Sequence, residues 1–152
     1  MNILTEKLEN KTVLEIGKFT ILWAEFEKNY CNNECNSNII WDFASISTVN
    51  EDFLRDLCDK LKGRISYLGV NENQYINYNL TPERARKPSQ ADIKTIKDFI
   101  NFKGENLLAG AMLAIYRIRN NLLHGLKELS ELNGQIELFK SMNSVLENIR
   151  RK

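Results

Sequence analysis

The residues with the most chemical capacity in this chain fall in one decapeptide, Tyr116-Arg117-Ile118-Arg119-Asn120-Asn121-Leu122-Leu123-His124-Gly125, which holds the only histidine. Histidine exchanges protons near neutral pH without special tuning. Arginine grips phosphate oxygens through paired, charge-assisted hydrogen bonds. Together they suit acid–base chemistry on a phosphate ester, with Arg119, Asn120 and His124 as the catalytic candidates and Arg117, Asn121 and Lys127 as further phosphate contacts. On a helix, Asn120 and His124 share one face, whereas Arg119 and His124 stand about 140° apart. A compact site therefore needs Arg119 to curl back, or a second copy of the helix to cross the first.

The element that must position them begins just upstream. Leu107 to Tyr116 (LLAGAMLAIY) is the longest apolar run in the chain; it is rich in helix formers and free of proline, which predicts a buried helix from about Glu105 to His124. Gly125 offers a left-handed stop, so His124 falls at the helix C-terminus, where the helix dipole favours its protonated form.

The segment RNNLLHG at 119–125 resembles the signature of the HEPN superfamily: an arginine, usually a polar residue, a few variable residues, then histidine. Its place near the end of a long helix, with one helix to follow, matches that family's layout. The resemblance implies an all-α domain that dimerises through the motif helix and cleaves RNA without a metal or cofactor, the substrate's own 2′-hydroxyl serving as nucleophile. It also implies a possible role as a toxin or antiviral effector with a neutralising protein partner. Other members are non-catalytic modules that bind nucleotide, RNA or protein, and that reading stands beside the first. A purely structural dimeric bundle is a third reading.

Elsewhere the apolar periodicity predicts an up-and-down bundle of about five helices in one domain spanning residues 1–152. The first runs from Thr12 to about Tyr30, with Val13, Ile16, Phe19 or Thr20, Trp23, Phe26 and Tyr30 as its stripe. Glu27 lies at the edge of that stripe; it is either a solvated carboxylate or one that faces the motif helix and pairs with Arg117 or Arg119. Residues 31–50 read as an asparagine-rich connection docked by Ile39, Ile40, Trp41 and Phe43. Thr48 and Glu51 have capping-box spacing ahead of a helix to about Tyr67. Gly69 to Pro88 reads as a long connection with a helical turn at Thr81-Pro82-Glu83; in it Tyr75, Tyr78, Arg84, Arg86 and Lys87 could hold RNA or simply form a charged surface turn. Ser89 and Asp92 cap a helix through Ile100, and a last helix covers Gly134 to Arg151.

The composition, 43% hydrophobic and 27% charged, is that of an ordinary globular domain, and no apolar run reaches the length of a membrane span. MNILTEKLEN lacks the apolar core of a secretory leader, so a cytoplasmic location is expected. Net charge is +1, which excludes a general nucleic-acid coat, yet residues 1–50 carry −3 and residues 111–152 carry +3. A polyanion would therefore be held locally, around the motif. Cys31, Cys35 and Cys58 are expected to be free thiols, since a closed zinc site would need both Cys58 and His124 to join the first pair.

Overall fold

The computed structural model describes residues 9–81, 87–124 and 132–152, without the side chains of Leu123 and His124. The Thr81-Pro82-Glu83 turn, Arg84, Arg86, Gly125 and Lys127 fall wholly or partly outside these residues. Five long helices appear where the periodicity put them: α1 (Asn10–Tyr30), α3 (Glu51–Leu68), α5 (Gln90–Ile100), α6 (Leu107–His124) and α7 (Ile136–Asn148). The described fold is all-α apart from one two-stranded ladder, and none of its helices is long and apolar enough to cross a membrane.

Side-chain pairs fix the sense of each helix. Asn143 Nδ2 donates to the Glu15 carboxylate at 2.9 Å and Lys18 pairs with Glu147, so α7 runs parallel to α1. Ser141 donates to Asp56, while Thr48 and Phe53 share a recess with Asn148 and Arg150, so α7 runs antiparallel to α3. The Cys58 thiol meets the Phe99 carbonyl and Arg55 stacks on Phe102, reversing the chain again between α3 and α5. Gly110 of α6 faces Thr95 and Phe99 of α5, while Arg117 of α6 is close enough to Asp92 to feel its charge. The α5/α6 pair is thus antiparallel, and the senses alternate as an up-and-down bundle requires.

The Gly110 crossing sets the spacing of that pair. A Cβ there would stand 2.4 Å from Phe99 Cβ and 2.9 Å from the Thr95 carbonyl oxygen. Only glycine admits so close an approach. Its neighbours on α6, Ala109, Ala111, Met112, Leu113, Ala114 and Ile115, are at most 1% exposed, so this helix is the axis of the core.

The structure corrects the sequence reading in several places. Residues 31–50 are more than a connection: Ser37–Ser45 forms α2 and Ser47–Thr48 forms β1. The asparagines divide the work. Asn32 and Asn33 take left-handed backbone angles in the turn, whereas Asn36 caps α2 by accepting from the Ile39 N–H. Asn50, not Thr48, caps α3, its side chain accepting from Asp52 N–H at 2.8 Å. Gly69, at φ 69°, closes that helix as its left-handed C-cap. Residues 72–79 hold a single helical turn, α4 (Glu72–Gln74), running into a π-helical turn at Tyr75–Asn79. Within it Tyr75 is 3% exposed, which removes it as a base-stacking surface; Tyr78 is exposed, with Lys87 over its ring. The last helix stops at Asn148, and β2 (Arg150–Arg151) pairs antiparallel with β1, Ser47 opposite Arg151. Cys31 and Cys35 form a disulfide and are not free thiols; Cys58 is free and buried.

Candidate functional site

The polar end of α6 emerges from its apolar body at Tyr116. From there to Leu122 most residues are only partly buried, Ile118 alone being fully so. Tyr116 lies flat against Trp23 of α1, ring centroids 6.0 Å apart, and its hydroxyl donates to the Cys35 carbonyl at 3.1 Å. The motif helix is thereby tied at its side to α1 and to the α2 end of the α1–α2 connection.

Arg119 Nη2 stands 3.2 Å from Glu27 Oε1, and Arg119 Nη1 donates to Asn120 Oδ1 at 3.3 Å. The same Glu27 oxygen accepts from the Trp23 indole N–H one turn earlier on α1. Glu27 is therefore the carboxylate that faces the motif helix, with its side chain only 17% exposed. An ion pair shielded to this degree is screened less than a surface pair, and an anchored indole removes much of the rotamer freedom it would otherwise lose.

Arg117 sits differently. It is half-buried, and burial lowers its pKa from the usual arginine value while the nearby Asp92 carboxylate pulls it back up. Asp92 is itself buried and accepts from the Ser37 hydroxyl at the start of α2. Arg117, expected as a spare phosphate contact, thus lies near enough to a buried carboxylate to feel its charge. Asn121 is half-exposed. The α6 backbone stays helical through His124, which keeps His124 one turn beyond Asn120. Lys127 lies outside the described residues.

The structure brings together Arg119, Asn120 and Glu27 directly, whereas Arg117, two residues earlier on α6, faces the charge of Asp92 on α5. Sequence reasoning missed Asp92, which showed only as a cap residue, and Trp23, which showed only as core. It also missed Ser37 and the Tyr116–Cys35 hydrogen bond, for which no local pattern exists. The site thus holds one guanidinium–carboxylate pair, Arg119 with Glu27, beside a polar amide and, one turn on, an imidazole-bearing residue, while Arg117 feels the charge of Asp92 from another helix. Such a set can bind an anion by exchanging carboxylate for phosphate and can move a proton at the bound group. Comparison of the chain with protein-family models, curated proteins and solved structures finds no match.

Proposed function

We propose that the chain is a HEPN-like RNA endonuclease whose site is Arg119, Asn120 and His124. The observation that carries this reading is the placement of Arg119: it is held by a carboxylate anchored to Trp23, on the last turns of a buried helix, five residues before the only histidine. In the proposed reaction the 2′-hydroxyl attacks the adjacent phosphorus, leaving a 2′,3′-cyclic phosphate and a free 5′-hydroxyl. His124 transfers the proton, Arg119 binds the charge that grows on the phosphate, and Asn120 orients the imidazole or the phosphate. Glu27 positions Arg119. In a homodimer two such helices supply one histidine as base and one as acid. Because the body of α6 is consumed by the chain's own core, the partner copy would approach along its last two turns and not its full length. A toxin or antiviral role, neutralised by a protein partner, follows from the same resemblance.

One observation favours a second reading. Arg119 is already engaged by Glu27 and Asn120 within the chain, an arrangement that serves a non-catalytic HEPN module binding nucleotide, RNA or protein equally well. Incubating a mixed RNA pool with the protein in EDTA separates the two. The nuclease reading expects cyclic-phosphate ends with the native protein and none with Arg119→Ala or His124→Ala. RNA that is bound but left intact by the folded native protein sinks it and leaves the binding module.

A further inference from the structure

The Cys31–Cys35 disulfide closes a short loop, and the restraints on the motif arginines converge on its two ends. At the Cys31 end, the backbone N–H groups of Cys31 and Asn33 both donate to the Glu27 carbonyl, at 3.0 and 2.9 Å, fixing the last turn of α1, from which Glu27 reaches Arg119. At the Cys35 end, the carbonyl of Cys35 accepts from Tyr116, three residues before Arg119. Beyond it Asn36 caps α2, and Ser37 holds Asp92, the carboxylate beside Arg117. Between the cysteines, Asn32 and Asn33 have φ of 49° and 67°, a conformation L-residues leave readily when nothing holds them there.

From this convergence we infer that Cys31–Cys35 is a redox-responsive clasp: oxidised, it holds Glu27, the Cys35 carbonyl and Ser37 in register with the motif helix and Asp92; reduced, it lets them go. This disulfide has a sequence separation of 4 and ties no distant parts of the core together, as a purely structural staple would. The chemistry is thiol–disulfide exchange with a dithiol reductant. A thiolate attacks the sulfur of Cys35, the less buried partner, forming a mixed disulfide and releasing Cys31 as thiolate. The reductant's second thiol then attacks its own mixed sulfur, leaving two cysteine thiols and an oxidised reductant. The structural clasp stands by itself, whereas its effect on RNA cleavage rests on the function proposed above.

The test is hydrogen exchange on the full chain, oxidised and after treatment with dithiothreitol, with thiols counted by alkylation and mass. The clasp expects one free thiol, Cys58, before reduction and three after. Reduction should also speed exchange about tenfold or more in peptides covering 27–37 and 116–122, with α3 and α7 unchanged. The Cys31→Ser/Cys35→Ser variant, checked for native circular dichroism, should match the reduced protein and lose its response to dithiothreitol. Three free thiols in untreated protein, unchanged exchange at 116–122, or uniform acceleration throughout the bundle would each overturn it. None of these readouts depends on whether RNA is cut. If the clasp responds and cleavage is never seen, only the nuclease reading falls.

Discussion

Gly110→Ala is the sharpest probe of how the motif helix is held. In an exposed helix this exchange stabilises, by about 0.5–1 kcal/mol, because alanine loses less backbone freedom on folding. At position 110 the new methyl would stand 2.4 Å from Phe99 Cβ and 2.9 Å from the Thr95 carbonyl oxygen. Carbon atoms rest about 3.5–4.0 Å apart, so α5 and α6 must part by about 1 Å. Both clashing atoms belong to or adjoin backbone, and no rotamer change relieves them. Overpacking of this kind costs about 1–3 kcal/mol, and here the whole crossing must shift, so the upper end is expected: a net loss of about 2–3 kcal/mol after the helical gain. For a chain of this length that lowers Tm by about 5–10 °C. Gly17→Ala and Gly63→Ala are the controls, since nothing lies within 4 Å of a Cβ at either position and both should raise stability. Urea and thermal unfolding followed by circular dichroism reads all three. A Gly110→Ala protein as stable as Gly17→Ala would refute the close crossing, and with it the register that sets Arg117 opposite Asp92.

Further outcomes follow from the same contacts. Glu27→Ala strips an acceptor from both Arg119 and the Trp23 indole and should cost about 1–3 kcal/mol in urea unfolding, with a change in Trp fluorescence. Asp92→Ala removes the acceptor of the Ser37 hydroxyl and a negative charge near Arg117, and a loss of about 1–3 kcal/mol is expected, against little change for the exposed Asp52→Ala. Burial pushes the Cys58 thiol up from 9.0 to about 11. Its protonated form is then favoured in the folded state, so the contribution is whole below pH 9 and fades as pH rises toward 11, by about 2–3 kcal/mol in all. Cys58→Ala should flatten that alkaline slope, and an unchanged slope in unfolding titrations would remove Cys58 as its source.

The long helices were legible because their signal is periodic and local. Leu57, Leu61 and Ile65 on α3, and Ile93, Ile96 and Ile100 on α5, recur at threes and fours and are buried as that spacing demands. In α1 the expected stripe fails at both ends: Thr12 is buried while Val13 is 42% exposed, and Tyr30 is 52% exposed. What failed were segments whose structure depends on partners. Helix α2 hid among asparagines that also make turns, and strand β1 exists only because Arg150 and Arg151 return from the far end of the chain. The Glu27–Arg119 pair was one of two readings of a glutamate at a stripe edge, and the choice turned on the rotation of α1 about its axis. Asp92 could not be singled out, since a carboxylate capping a helix and a carboxylate facing an arginine look alike in one dimension. The disulfide has no local signature, since a three-residue spacing permits a bridge and two free thiols alike.

The order in which the pieces leave the ribosome gives the two carboxylates a further consequence. Glu27 and Asp92 precede Arg117 and Arg119 in the chain, so each guanidinium emerges into a half-built bundle in which its counter-charge has already been made. The helix that packs on both α1 and α3, however, is α7, made after the motif. A nascent chain stopped just past His124 carries the whole motif but no closed core to set it in.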